Sequence, residues 1–597
     1  MIRRPLRPLA RILRARAEGQ DPDQIEAEAL AARMVERHRV ERKKAETRMI
    51  LLGLMFICGF LTVAVRMAVL AGTVPVEPRA GVSTAPISAQ RADIVDRNGR
   101  LLATNVSTVS LYAHPRDILD PKGTAAALAT IFPDLDPERL AARFTDGRKF
   151  MWIRSSVSPE QRQRVHDIGE PGLLFGPRER RLYPNGAVAA HVLGGASFGR
   201  EGVHSAEVIG VGGVERVFDT RLRDPGRTDQ PLGLSIDLEV QTAFEEVLAA
   251  GMKRMNAKGA AGILMEAETG AIRALVSLPD FDPNDRPALP TSGDPGDSPL
   301  FNRAAQGRYE LGSTFKPLTV ALALETGLVA PHTHIETKGP MRWGRFTIRD
   351  FRDYGPSLTV EDVIVKSSNI GTARIAVEQG GAAQRAFLRR LGMTEPVPVE
   401  LTEAGRTAPL MPERWSDLTT MTVSYGHGIA VTPLHLAAAY AMLANGGYRV
   451  HPTLIAGGNP DAPRERVISE RTSRQMLDML RQVVSRGTAS FADVEGYEVA
   501  GKTGTADKPD ATGGYARDRV ISTLASVFPA SDPEYVLIVA LDEPTNTEHS
   551  KPLRTAGWTA APVAGEAIRR LVPILGMPPQ PGPDAEPPRL YTLAGND

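Results

Sequence analysis

Residues 261–267 (AGILMEA) and 271–278 (AIRALVSL) are two apolar runs separated only by Glu268, Thr269 and Gly270. So short a connection makes them an antiparallel hairpin, because a parallel return needs a crossover of a dozen or more residues. Working outward, 521–528 (ISTLASVF) and 535–541 (YVLIVAL) form a second such pair across six residues that contain a Pro/Asp turn. The sequence between the hairpins is mainly helical. Ser313–Glu325 (STFKPLTVALALE) has a helical apolar pattern, with Pro317 near the first turn and Gly327 beyond the last. Thr359 opens another helix through a Thr-x-x-Asp capping box to Asp362, and 561–571 reads as a closing helix. Strands at both ends of a helical middle imply an α+β domain, an antiparallel sheet flanked by helices, with the cleft between sheet and helices.

The chain of 597 residues is long enough for three or four domains. With 42% hydrophobic and 24% charged residues, neither wholesale disorder nor a polytopic membrane protein fits. Residues 49–65 (MILLGLMFICGFLTVAV) carry no charge, and apolar sequence resumes after Arg66 as far as Ala71. About twenty such residues cross a bilayer, so 49–71 is expected to be a transmembrane helix with Arg66 snorkelling to the far interface. A 48-residue leader is too long for a cleaved signal peptide, which favours a retained anchor. Seven Lys or Arg crowd the N-terminal flank, whereas Arg79 is the only one in the twenty residues after Arg66. The positive side stays in the cytoplasm, so the chain beyond Ala71 is expected to be exported.

The net charge is +1, and the first 48 residues hold thirteen Lys or Arg against eight Asp or Glu. The remainder is therefore mildly acidic, which argues against a nucleic-acid binder. The only cysteine, Cys58, lies inside the span, which excludes disulfides, Cys catalysis and Cys-ligated zinc in the exported part. The expected order is a basic leader (1–48), the span (49–71) and a linker (72–90). An elongated α+β module with short strands (91–232), the main domain (233–572) and a Pro-rich disordered tail (573–597) complete the chain.

Of twelve lysines, one has a serine three residues before it: Lys316, with Ser313. On a helix that spacing puts both groups on one face. A serine hydroxyl is a weak nucleophile until a base takes its proton, and a lysine serves as that base when burial or a second cation lowers its pKa. A helix N-terminus also aims backbone N–H groups at a developing oxyanion. The pair alone arises readily by chance. Ser367-Ser368-Asn369, the only Ser-x-Asn, and Lys502-Thr503-Gly504-Thr505, the only Lys-Thr-Gly, change the balance. The first offers a hydroxyl and an amide between helices; the second offers a cation, hydroxyls for a carboxylate and a glycine that admits close backbone.

YELGSTFKP (309–317), KSSNIG (366–371) and AGKTGTA (500–506) resemble the active-site motifs of penicillin-binding transpeptidases. RADIVDRNG (91–99), RRLYPNGAVAAHVLGGA (180–196) and GVGGVERVFDTRLRDPG (210–226) look like the pedestal motifs of class B members. LSIDLEVQ (234–241) resembles the start of their catalytic domain, and the whole is most like the division-specific, FtsI-like members. Leu311 and Ala92 depart from the usual Pro and Gly at their positions.

The resemblance implies the penicillin-binding transpeptidase fold and a D,D-transpeptidase that cross-links peptidoglycan stem peptides during septal wall synthesis. Ser313 would attack the penultimate D-alanine, Lys316 accept its proton, and Ser367 pass a proton to the leaving D-alanine. Asn369 would hold the stem peptide, Lys502 tune Lys316, and Thr503 and Thr505 grip the terminal carboxylate beside Gly504. Backbone N–H groups of Ser313 and Thr505 would form the oxyanion hole. β-Lactams would acylate Ser313, with no metal or diffusible cofactor. A SEDS-type lipid II polymerase and other divisome proteins are the implied partners, and the implied location is the inner membrane with the catalytic domain in the periplasm.

Rival patterns are weaker. Residues 496–503 (GYEVAGKT) match the P-loop expression, and VLIVALDE (536–543) imitates a magnesium-holding strand. A P-loop must follow a buried strand and open a helix, yet 490–495 is not an apolar strand and 505–519 is polar with Pro509, Gly513 and Gly514. A β-lactam sensor lacks a signalling domain here, and a β-lactamase or carboxypeptidase does not need so large a pedestal. His427 and His435, and the His332/His334 pair, lack a third ligand at metal spacing and read as packing residues. The six arginines between Arg3 and Arg16 suit either a membrane-surface helix or topology and solubility alone.

Overall fold

The computed structural model describes residues 13–14, 16–19, 21–72, 91–198, 208–458, 464–510 and 513–580. It divides into two units, residues 1–86 and 87–597. In the first, one helix runs from Pro22 to Gly72. The leader from residue 22 is thus helical and continuous with the apolar segment, because neither glycine nor proline interrupts 23–52. Glu46–Val65, with mean hydropathy 2.2, is long and apolar enough to cross a membrane and fits a single-pass anchor. The expected linker at 73–90 lies outside the described residues.

The pedestal part of the second unit is built on the strand Leu101–Ala113, which pairs antiparallel with Met151–Val157 and Leu173–Leu182. At thirteen residues this strand is longer than the short strands expected. Its interspersed Thr, Ser and Asn residues hide it from a search for apolar runs. Ile94–Val95 joins the sheet and pairs in parallel with Leu232–Gly233, which leads into the main domain. The three pedestal segments converge on one carboxylate. Glu215, from the third, accepts hydrogen bonds from Arg91 of the first and Arg181 of the second, each at 2.6 Å, and from Tyr183 at 3.2 Å. A charge with no exposed surface survives burial only when paired in this way.

The main domain carries a five-stranded sheet. Its strands are β1 (Gly259–Glu266), β2 (Ile272–Leu278), β3 (Ala500–Pro509), β4 (Tyr515–Phe528) and β5 (Tyr535–Asp542). The order is β3-β4-β5-β1-β2, antiparallel throughout, so both expected hairpins are present and the chain's two ends meet where β5 pairs with β1. Helices α1 (Leu238–Arg254), α2 (Lys316–Glu325), α3 (Asn369–Gln379), α4 (Pro433–Ala444), α5 (Glu470–Arg486) and α6 (Ala560–Ile574) complete the frame. α1 and α6 pack together on the sheet, and α4 contacts β1, β4 and β5 as well. Helices against both faces explain why β1 and β2 are apolar without alternation. α4 is apolar nearly all round because it is a core helix.

Several local readings are refined. The expected box at Thr359 is half made: its hydroxyl accepts from the Asp362 N–H, while the Asp362 carboxylate turns to Lys366 and Arg486. A full box forms instead at Thr432 with His435, whose second ring nitrogen meets the Glu395 carbonyl. His435 is thereby a buried capping residue. α6 continues through Pro573 to Ile574, and the Gln580 N–H bonds the Gly496 carbonyl; residues 581–597 lie outside the described residues.

Candidate active site

Ser313 does not sit in the α-helix itself but in a 3-10 turn, Gly312–Phe315, that feeds α2 at Lys316. Three residues per turn place Ser313 and Lys316 on one edge, as the spacing requires. The Thr314 hydroxyl bonds the Leu311 carbonyl at 2.9 Å, and the buried Tyr440 hydroxyl of α4 bonds the Thr314 carbonyl at 3.0 Å, so the turn is tied to the core. Leu311 itself is buried where the family commonly has Pro.

Two glycines bring β3 against this turn. A Cβ on Gly504 would stand 2.2 Å from the Leu311 carbonyl oxygen, and one on Gly312 would meet the Thr505 carbonyl oxygen at 2.7 Å. Gly312 also has φ +57°, a conformation side chains rarely adopt. Without these glycines the nucleophile turn and the edge strand could not touch.

Ser367 follows the short helix Val360–Val365 and precedes α3, in a left-handed backbone conformation with φ 61°. Such strain in a serine persists only where its surroundings enforce it. Asp350 does so. Its carboxylate accepts from the Ser368 hydroxyl at 2.7 Å and from the N–H groups of Asn369 and Ile370 at 2.6 and 3.0 Å, at the positive end of α3. Ser368 caps the same helix through the Gly371 N–H. Asn369 donates its amide to the Arg349 carbonyl at 2.9 Å.

Both lysines are completely buried. Lys316 Nζ donates to the Ser367 carbonyl and, at 3.0 Å, to the Ser367 hydroxyl oxygen; Lys502 Nζ reaches the same oxygen at 2.9 Å and the Thr503 carbonyl at 3.1 Å. Burial, then the Lys502 ammonium, hold Lys316 well below the usual lysine range, against an opposing pull from Asp350. Burial brings Lys502 down to about 7. The Ser313 hydroxyl makes no hydrogen bond to either lysine among the described residues; Ser367 instead links Lys316 to Lys502.

The Thr503 hydroxyl pairs with Thr488 at 2.7 Å, and the Thr505 hydroxyl accepts from the Ala556 N–H at 2.9 Å. A cavity of about 410 Å³ opens over these groups, lined among others by Ser313, Ser367, Asn369, Thr503 and Thr505. All eight residues singled out from the sequence thus gather at or directly beneath one cleft. Thr488, Phe491 and Trp558 line it as well, and Asp350 supports it through Ser368 and Asn369; none carried a local signal, since each acts through contacts distant in sequence. The P-loop alternative fails on geometry: the residues after Lys502 continue as strand β3 rather than opening a helix.

The chain is similar to known proteins over most of its length. Residues 260–567 match the penicillin-binding protein transpeptidase domain, and 86–228 match the penicillin-binding protein dimerisation domain. The chain is 37% identical to the probable peptidoglycan D,D-transpeptidase FtsI of Caulobacter vibrioides, over 90% of this chain and 92% of that protein. It is 30% identical to peptidoglycan D,D-transpeptidase FtsI of Escherichia coli, over 83% and 85%. Penicillin-binding protein 3 of Mycobacterium tuberculosis, solved with ampicillin, shares the fold with a TM-score of 0.63 at 24% identity, over 83% of this chain and 97% of that one. The chain belongs to the family of penicillin-binding proteins that place a transpeptidase domain after a dimerisation-type domain.

Proposed function

We propose that this chain is a peptidoglycan D,D-transpeptidase of septal wall synthesis and a target of β-lactams. The observation that carries the mechanism is the shared hydrogen-bonding of Lys316 and Lys502 to one serine oxygen. Two buried cations so close disfavour a proton on both; burial and the Lys502 ammonium lower the Lys316 pKa, which suits Lys316 to accept a proton.

Ser313 Oγ attacks the carbonyl carbon of the penultimate D-alanine as its proton passes to Lys316. Negative charge develops on the carbonyl oxygen, between the backbone N–H groups of Ser313 and Thr505. The proton then moves through Ser367 to the nitrogen of the terminal D-alanine, the C–N bond breaks, and an ester on Ser313 remains. Lys502 keeps Lys316 poised, Asn369 positions the peptide backbone, and Thr503 and Thr505 hold the departing carboxylate beside Gly504. An amine from a second stem peptide attacks the ester, forming the cross-link and returning the proton to Ser313. A β-lactam follows the first half of this path, its ring amide standing in for the scissile bond.

We also propose the topology that the flanking charges favour, with the N-terminus cytoplasmic and the catalytic domain in the periplasm of an inner-membrane protein. A lipid II polymerase of the SEDS type and other divisome proteins would act beside it. The test supplies the detergent-purified chain with freshly polymerised glycan strands. Penicillin-sensitive release of D-alanine, with cross-linked muropeptides, is expected; release without cross-links would identify a carboxypeptidase instead.

A further inference from the structure

A cavity of about 450 Å³ lies where the pedestal part meets the main domain, and it shares no lining residue with the cleft in front of Ser313. The second and third pedestal segments supply one wall, at His191, Gly212 and Arg216; the main domain supplies the other, at Phe281, Arg286 and Arg406.

The cavity is cationic. Arg216, Arg286 and Arg406 form no ion pair among the described residues, and Glu403 is the one acid of the lining. Three guanidinium groups against one carboxylate leave at least two positive charges without an answer. Glu403 is also engaged elsewhere: it accepts from the Asn302 amide at 3.1 Å, and burial pushes its carboxyl up against the pull of Arg286 and Arg216. Arg286 is held in place, its Nε donating to the Gly194 carbonyl at 2.9 Å and its guanidinium lying 5.5 Å from the Phe281 ring centroid. A Cβ on Gly212 would stand 3.3 Å from Arg286 Nη2, so a glycine there leaves the free end of the guanidinium its room.

His191 adds a second requirement. It is only 5% exposed, its ring is hydrogen-bonded to the Pro279 carbonyl, and its Nε2 has no partner among the described residues. Nδ1 is therefore the nitrogen that donates to the carbonyl. Burial, with the charges of Arg303 and Arg286, brings the ring down to about 4, so at neutral pH it is uncharged and Nε2 offers a lone pair. A buried acceptor left unpaired at a cavity wall calls for an O–H or N–H from whatever fills the cavity.

We propose that this junction cavity binds a small organic phosphate monoester. At neutral pH the phosphoryl group carries close to two negative charges, which matches the excess, and arginines meet its oxygens through paired N–H groups. A hydroxyl of the organic part donates to His191 Nε2, while Phe281 and Leu300 cover its carbon skeleton. A carboxylate answers only one of the charges, and a sulfate ion has no proton to donate. Because both walls contribute, the bound molecule ties the pedestal part to the main domain and stabilises the folded chain. The site stands apart from the transpeptidase reading and does not depend on it.

The test titrates the full-length chain in detergent, at neutral pH in a phosphate-free buffer, with glycerol 3-phosphate, sulfate and glycerol, followed by calorimetry. Saturable binding of glycerol 3-phosphate, about tenfold tighter than sulfate, and none of glycerol are expected. Arg216→Gln and Arg406→Gln change exposed residues, so the melting temperature without ligand should hold while Kd for glycerol 3-phosphate rises about tenfold in each. His191→Phe keeps a ring against Phe281 and removes the acceptor; it should weaken glycerol 3-phosphate about fivefold and leave sulfate unchanged. Where that variant does not fold, the two arginine variants decide alone. No saturable binding by the wild type, or a Kd unchanged in both arginine variants, would overturn the site. Sulfate binding as tightly as glycerol 3-phosphate would overturn the monoester.

Discussion

Lys316 and Lys502 point at the same atom, the hydroxyl oxygen of Ser367, from 3.0 and 2.9 Å, although 186 residues separate them in the chain. That convergence makes the Lys502 charge, after burial, a cause of the lowered Lys316 pKa. Lys502→Met removes the charge and keeps the bulk. The Lys316 pKa then rises, fewer molecules carry the free base at a given pH, and the acidic limb of the acylation rate moves to higher pH. Penicillin acylation rates between pH 5 and 9 measure it; an unmoved limb would contradict the coupling.

Asp350 anchors the start of α3 with three hydrogen bonds and so fixes the strained backbone at Ser367. In Asp350→Asn only one of the two atoms can still accept, and the charge facing the helix N-terminus is gone. The variant is expected to lose about 1 kcal/mol of stability and roughly tenfold in acylation rate. Thermal unfolding and stopped-flow acylation check the two effects separately.

Glu215 is the meeting point of three pedestal segments, with Arg91 and Arg181 buried around it. Glu215→Ala leaves the buried Arg181 without a carboxylate and Arg91 with Asp219 alone, and is expected to cost on the order of 3 kcal/mol. A melting temperature within a degree or two of wild type would show that the network is dispensable.

Glu245 on α1 accepts from the Ala189 N–H of the pedestal part at 2.9 Å, and from the Gln241 amide. Burial, reinforced by Asp280, pushes its carboxyl up to about 7 against the pull of those two hydrogen bonds. The folded chain therefore binds this proton more tightly than the unfolded one, so its contribution is full below about pH 4.5 and is lost as pH rises through 7. Glu245→Gln keeps the accepting oxygen without the charge. It should stabilise the protein at pH 8 by on the order of 2 kcal/mol and hardly at all at pH 4.5, as followed by thermal melts at both values.

What the sequence made legible follows physical range. Motifs carried on one element, such as Ser313 with Lys316 or Lys502 with its threonines, declare themselves by spacing. The two hairpins do so through short connections between apolar runs. The residues that escaped act across the fold: Asp350 at the foot of α3, Thr488 beside Thr503, and Trp558 at the rim of the cleft. The pedestal strand Leu101–Ala113 escaped because Thr104, Asn105, Ser107, Thr108 and Ser110 break the apolar run. The 3-10 start at Ser313 was not separable from an α-turn, since both put positions three apart on one edge.

The central claim is that the Ser313 hydroxyl forms the covalent bond. Peptide mass spectrometry of the penicillin-treated chain tests it most directly. The account predicts a single penicilloyl adduct on the peptide containing Ser313 and none in Ser313→Ala. An adduct on another residue, or one that persists in that variant, would contradict it.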